Sequence, residues 1–249
     1  VVQGLDTTGK VDVKSDGTLQ GINGLSLDAT AATTNGLSEA FSQAGVVDGA
    51  QLGEVSIGGV GSITGQNNLS GSASSSNVVG GTSDATSSLV DADGLEATST
   101  IGISSDGGLT GLNTVDLASS AASTSGSKAT AKSDAGTLQG AELGVTDIGG
   151  VGSVAGETSL TSGAASSNVT GQAISLSQLT TAEGLEQSGQ LDVKSDASVQ
   201  GLANVSSSAD AATTAGAATA NALSTTINGA DLAAGNLDIG GIGSIAGQA

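Results

Sequence analysis

The sequence contains no Pro, Cys, Met, His, Trp, Tyr or Arg, and Phe41 is its only aromatic residue. Each absence removes a class of protein. Without His and Cys, the common nucleophile–base pairs of covalent catalysis cannot be assembled. Without Cys there is no disulfide scaffold, and the redox compartment leaves no trace. Without the large aromatic and thioether side chains, the wide core of an ordinary globular domain is not expected. No apolar run approaches the roughly 18 residues of a membrane span, so membrane insertion is not expected.

Positive charge is scarce as well. Five Lys stand against 24 Asp and Glu, for a formal net charge of -19. Such a surface repels phosphate backbones and anionic lipid, so nucleic acid is not expected as a partner. Few aromatics, much Gly and Ser and a high net charge are also the marks of disorder. Two features oppose that reading. Pro is missing, and Val, Ile and Leu recur at fixed places.

What is present, above all, is repetition. VDVKSDGTLQG at Val11, IGISSDGGLTG at Ile101 and LDVKSDASVQG at Leu191 lie 90 residues apart. IGGVGSITGQ at Ile57, IGGVGSVAGE at Ile148 and IGGIGSIAGQ at Ile239 lie 91 apart. The two families resemble each other at an offset of 44, where Val11, Val13, Gly17, Leu19 and Gly21 match Val55, Ile57, Gly61, Ile63 and Gly65. The chain therefore reads as units of about 45 residues beginning near Gly4, Gly49, Gly94, Gly140, Gly184 and Gly229. Alternate units differ, and a pair makes one 90-residue repeat. The expected organisation is one continuous repeat domain over 1–249, with repeats at 4–93, 94–183 and an incomplete 184–249.

Within a unit the pattern has period two. From Val11 to Ala31 the odd positions are Val11, Val13, Ser15, Gly17, Leu19, Gly21, Asn23, Leu25, Leu27, Ala29 and Ala31, while every charge is even. Only Ile22 departs from the rule. That is the signature of a strand with one face buried. Twenty-one extended residues would span roughly 70 Å, so bends are expected at Ser15-Asp16-Gly17 and at Asn23-Gly24. The alternation keeps its phase past both. The pattern predicts an all-β fold: an elongated β-solenoid or other stacked β-repeat with a thin interior, in which an inward Asn near a corner bonds to backbone groups and to its copy above. Stacked hairpins are a competing arrangement, with turn signals at Asn23-Gly24, Asn35-Gly36 and Asn228-Gly229. A repeated sandwich is another, one domain per 90 residues. The polar stretches 72–88 and 123–136 are expected as loops or as strands with small inward residues. The Ala-rich piece 207–224 admits a helix, weakened by its Ser, Thr and Gly.

No catalytic, cofactor-binding or metal-ligating residue is assigned. Lys14-Ser15 and Lys194-Ser195 are sequence neighbours, which puts their side chains on opposite faces of a strand, and the second copy has Ser104 in place of the Lys. A Ser–Lys pair is therefore not expected. Asp16, Asp106 and Asp196 recur before or within a turn and read as backbone caps. Asp91-Ala92-Asp93-Gly94 with Glu96 contains a fragment of a calcium loop, but later ligands are missing and the matching segments VVQGLD and TTAEGLE do not keep both acids. Weak, non-specific association with divalent cations is the expectation. Ile57-Gly58-Gly59-Val60-Gly61 resembles a phosphate loop without its Lys or helix, and its glycines read as tight backbone packing. Three N-x-S/T sequons occur, at Asn68, Asn168 and Asn204, as chance allows in so Ser- and Thr-rich a chain.

Function is then expected to lie in shape. The sequence predicts an extracellular or cell-surface structural protein, not an enzyme. Its expected partners are copies of itself, stacked head to tail into a filament or surface fibre. The first residue, Val1, is what a processed or partial chain would show, and no cap is evident at either terminus. A stalk segment of a repetitive adhesin is the alternative. An ice- or mineral-binding solenoid ranks below it, because the Thr positions drift between copies.

Overall fold

A computed structural model describes all residues except 15, 105, 195, 233–236 and 242. The described residues form strands, bends and turns, with no helix. In chain order the strands are β1 (Val2–Thr7), β2 (Val11–Val13), β3 (Thr18–Thr33), β4 (Gly36–Leu52), β5 (Val55–Ile57), β6 (Ser62–Asn77) and β7 (Gly81–Ile103). They continue as β8 (Gly108–Ser123), β9 (Lys128–Ile148), β10 (Ser153–Gln187), β11 (Leu191–Val193), β12 (Ser198–Asp231), β13 (Leu237–Ile239) and β14 (Ser244–Gln248).

Every strand pairing is parallel, and partners lie 44 to 46 residues apart. Thr18 sits beside Ser62, Ser62 beside Gly108, Gly108 beside Ser153, and Ser153 beside Ser198. On the opposite flank Gly36 pairs with Gly81, and Thr82 with Lys128. One sequence unit is thus one circuit of the chain, laid in register on the circuit before, a solenoid-like arrangement. β3, β6 and β8 make one flank; β4, β7 and β9 make the other; the three-residue strands such as β5 close one end. The 35-residue β10 runs round the far corner and belongs to both flanks. The strand order therefore climbs β1-β4-β7-β9, crosses at β10 and descends β8-β6-β3, a nearly closed parallel sheet.

This overturns the antiparallel alternatives. Asn23-Gly24 is no bend: it lies inside the uninterrupted 16-residue β3. Strands this long are stable here because parallel neighbours above and below satisfy each backbone group. Asn228-Gly229 is likewise inside β12. Gly36 does adopt a left-handed φ of 107°, at the corner between β3 and β4, but no hairpin pairing follows. Stretch 207–224 is strand, not helix. Of 72–88 and 123–136, most is strand with small inward residues.

The period-two reading of the interior holds. Along β6, Ile63, Gly65, Asn67, Leu69, Gly71, Ala73, Ser75 and Asn77 are buried while the residues between are not. The interior changes character along this flank. Near β5 it is aliphatic, with Ile57, Ile63, Ile101, Leu109 and Ile148 in one cluster. Next comes Gly65, where the flanks nearly touch: a methyl group there would lie 2.0 Å from the Gly94 carbonyl oxygen. Beyond it a smaller cluster holds Val47, Leu69, Leu89, Val115 and Leu138. The rest is Ala and Ser, with Ala40, Ala73, Ala85 and Ala121 packed together. There, Ser75 Oγ meets Ser83 Oγ at 2.9 Å and Ser162 Oγ meets Ser177 Oγ at 2.8 Å. Ser87 Oγ donates to the Gly71 carbonyl across the gap at 2.9 Å. Small hydroxyl side chains let the flanks close up, and pairs such as these satisfy many of the buried polar groups, although Ser38 Oγ and Ser123 Oγ are buried without a partner among the described residues.

Candidate functional site

The glycine that opens each sequence unit forms a waist. Gly49, Gly94, Gly140, Gly184 and Gly229 press against Gly65, Gly111, Gly156, Gly201 and Gly247 or their neighbours on the opposite flank. A Cβ at Gly111 would fall 1.9 Å from Gly140 O, and one at Gly201 would fall 1.9 Å from Gly229 O. Only glycine allows two backbones so close. An amide ladder locks the same level. Asn67 Nδ2 donates to Val47 O at 2.8 Å and to Asp93 O at 2.7 Å, joining two circuits of the facing flank. Asn23 Nδ2 donates to Asp48 O at 2.5 Å and to Asn67 Oδ1 at 3.3 Å, the inter-copy contact expected of an inward Asn. Asn113 Nδ2 donates to Ala92 O, and in the next circuit Thr158 Oγ1 reaches Glu183 O at 2.7 Å.

Drawing the flank inward dents its outer surface. At the waist the alternation slips, because Gly49 and Ala50 both face inward, so the outward residues on either side, Asp48 and Gln51, are three apart and converge across the dent. The same residue pattern repeats in every circuit. The residue before the glycine is Gln3, Asp48, Asp93, Gln139, Glu183 or Asn228, and the second residue after it is Asp6, Gln51, Glu96, Glu142, Glu186 or Asp231. Both columns are acid or amide throughout. In the middle circuits they line a polar groove, deep enough that Asp48 is 3% exposed and Asp93 6%, whereas Gln3 and Asp6 of the first circuit are exposed.

Amides cross-link parts of this groove. Gln3 Nε2 donates to Gln51 Oε1 at 3.0 Å, Gln51 Nε2 to Glu96 Oε2 at 2.7 Å and Asn228 Nδ2 to Glu183 Oε1 at 3.2 Å. Gln139 Nε2 donates to Glu186. Asp48, Asp91 and Asp93 have less help: each has a buried Oδ1 without a hydrogen-bond partner among the described residues. Among the described residues no Lys ion pair reaches the groove either, since those seen use Glu54, Asp12, Asp134, Asp147 and Asp192. Burial pushes the Asp93 carboxyl up to about 8, reinforced by Asp91, Asp48, Glu142 and Glu96. Burial also raises Asp48, Asp91 and Glu142, and it lifts Glu186 to about 7 with Glu183 adding to the effect.

Other residues singled out in the sequence fall elsewhere. Lys14 pairs with Asp12 at 3.0 Å, and Lys194 with Asp192 at 2.9 Å and Asp147 at 3.2 Å, all on the outer surface. Their neighbours Ser15 and Ser195 lie outside the described residues. Ser104 Oγ bonds to Ile57 O at 3.3 Å. Asp16, Asp106 and Asp196 sit in equivalent exposed turns. In the Ile57–Gly61 segment Gly61 abuts Val13, the tight packing expected there, whereas Gly59 takes a left-handed φ of 64° and a Cβ at Gly58 would make only ordinary contact, 3.7 Å from Ser104 Oγ. Asn68 and Asn204 are exposed, whereas Asn168 is buried at a corner and donates to Gln172 O at 3.0 Å.

The Asp91–Glu96 segment is strand rather than loop, inside β7. Its acids gain neighbours not from later ligands in the sequence but from the circuits above and below. Sequence reasoning missed this groove, although the two polar columns flanking each unit-opening glycine were the signal for it.

Comparison with protein-family models, with curated proteins and with solved structures found no match.

Proposed function

We propose that the chain is a β-solenoid whose 45-residue unit is one turn, and that it serves as an extracellular structural element, a length of filament or surface fibre. The observation that carries this reading is the parallel register repeated from circuit to circuit, in which each circuit presents to the next the same backbone edge, with glycine at the waist throughout. Such an edge is a template for another copy of itself. At one end β1, β2 and β3 each pair on one side only, and at the other β13 and β14 do so, with no covering element among the described residues. A stack continued head to tail by further copies satisfies both edges, a heterologous contact that propagates. Acidic outer side chains keep neighbouring fibres apart until salt screens them and disfavour nucleic acid. The reading assigns no catalysis, because it rests on ladders rather than on any reactive pair.

Electron microscopy of the untagged protein at near-neutral pH tests the reading. Uniform, unbranched fibres with an axial repeat of about 4.8 Å are expected. Monodisperse short rods at every salt concentration would overturn self-assembly and leave a stalk segment.

A further inference from the structure

The acidic groove is cross-linked between circuits by amides along much of its length, but its centre is short of partners. At its centre, Asp48, Asp91, Asp93 and Glu96 bring four carboxylates from two adjacent circuits together, with Glu142 from a third beside them. Asp93 lies between Asp48 and Gln139 in the ladder, and is flanked by Asp91 and Glu96 on its own strand. Its Oδ1 is buried and without a partner, on a residue 6% exposed, and the Oδ1 atoms of Asp48 and Asp91 are buried and unpartnered too. A buried oxygen of this kind needs a proton or a cation. No Lys side chain supplies one among the described residues.

The donor set is all oxygen: carboxylates, with the side-chain carbonyls of Gln51 and Gln139 in the same two columns. Hard divalent cations take that set, and calcium tolerates its irregular geometry at oxygen distances of about 2.3–2.6 Å. The stack adds a length match. Rungs lie about 4.7–4.9 Å apart, so an ion midway between two vertically aligned carboxylates sits at a calcium–oxygen distance from both. Among the described residues no three acids stand close enough to hold a metal ion as they are placed. The ion would draw the side chains in and complete its shell with water.

We propose that this groove is a calcium-class divalent cation site centred on Asp48, Asp91, Asp93 and Glu96, in which the ion bridges adjacent circuits. Open, partly hydrated sites of this type bind in the range of about 10⁻⁴–10⁻³ M.

Calorimetric titration of the whole chain with CaCl₂ at low ionic strength and pH 7.5 reads this directly. Saturable binding below about 5 mM is expected; its absence overturns the proposal. Thermal unfolding followed by far-UV circular dichroism separates the groove from general screening. Calcium should raise the midpoint more than NaCl of equal ionic strength. The D93N/E96Q variant should lose that increment and melt higher than the parent without calcium, since two repelling charges are gone. The D116N/D210N variant, altered at exposed positions away from the groove, should keep the increment. Equal increments in both variants would overturn the site and reduce the effect to surface screening. Neither result depends on fibre formation, which microscopy tests separately.

Discussion

The two ends of the cross-section solve one problem in opposite ways. Near β5, the space between the flanks is filled by Ile57, Ile63, Ile101, Leu109 and Ile148, all fully buried. Near the far corner the same two flanks, with the same strand spacing along the stack, are held together by Ala and by Ser pairs such as Ser75–Ser83 and Ser162–Ser177. The first end fills the gap with hydrocarbon; the second narrows it until hydroxyls reach across. Burying a large aliphatic side chain contributes about 1.5–3 kcal/mol, whereas a neutral hydrogen bond contributes about 1 kcal/mol. The aliphatic end therefore carries most of the stability per residue. The Ala/Ser end needs length to match it, and the 16-residue flanks provide that. It also explains how a chain with one aromatic residue orders itself without a thick core.

The difference is broken most severely at the aliphatic end. Leu109 is fully buried in a central circuit, and Leu109→Ala is expected to cost about 2–5 kcal/mol, because the stacked neighbours hold the cavity open. Urea unfolding followed by circular dichroism should show a midpoint shifted far down. At the waist dividing the two ends, Gly111→Ala pushes a methyl against Gly140 O and is expected to cost about 3 kcal/mol as the flanks spread. A neutral result for either variant would mean that the flanks are not packed against each other as described.

The groove outside the waist gives the next effect, through pH. Asp93 has a folded-state carboxyl raised to about 8 and Glu186 one raised to about 7. A raised acid binds more protons in the folded than in the unfolded chain. Its contribution is thus fully present below about pH 4 and is lost as pH climbs through the folded value. In the absence of divalent ions, stability should fall between about pH 4 and pH 8, by a few kcal/mol, since each tenfold change in proton affinity is worth about 1.4 kcal/mol. Most of that fall belongs to the deeply buried Asp93, because solvent screens the more open Glu186. Urea midpoints across that range check the sign; a flat or rising profile would show that the carboxylates are better solvated than their burial implies.

At the Ala/Ser end a single side chain should matter little. Ser133 Oγ donates to Gly163 O at 2.7 Å and meets Ser119 Oγ at 3.1 Å, so Ser133→Ala removes hydrogen bonds but leaves almost no cavity. About 1 kcal/mol is expected, measured by the same urea midpoints. A loss as large as that of Leu109→Ala would erase the distinction between the two ends.

How much of this was legible follows from where each signal resides. Inward positions were readable from local alternation: Leu19, Gly21, Asn23, Leu25 and Leu27 all face the interior of β3 or its edge. The unit length was readable from repetition. That one unit equals one circuit was not, because a 45-residue period fits a half-sandwich as well until the pairing partner is known. Asn23-Gly24 misleads because the dipeptide is a turn signal taken alone, whereas here Asn23 spends its amide on Asp48 O and Val2 O across the interior. The groove was hidden for the same reason. Nothing in the local pattern around Asp48 and Asp93 marks them as buried. They are buried because Gly49 and Gly94 draw their strand against the other flank, a contact between residues that alternation does not connect.

The smallest expected effect sharpens that last point. Gly102 and Gly111 are both strand glycines of neighbouring segments, yet a Cβ at Gly102 meets nothing within 4 Å. Its register partners are Ser56 in the circuit before and Asp147 in the circuit after, so the column already accepts side chains. Gly102→Ala should change stability by no more than about 0.5 kcal/mol, toward stabilisation, because alanine restricts the unfolded chain more than glycine does. If thermal midpoints show Gly102→Ala as damaging as Gly111→Ala, then glycine is required along these strands for backbone conformation rather than for close approach. The waist would lose its explanation, and with it the dent that buries Asp93.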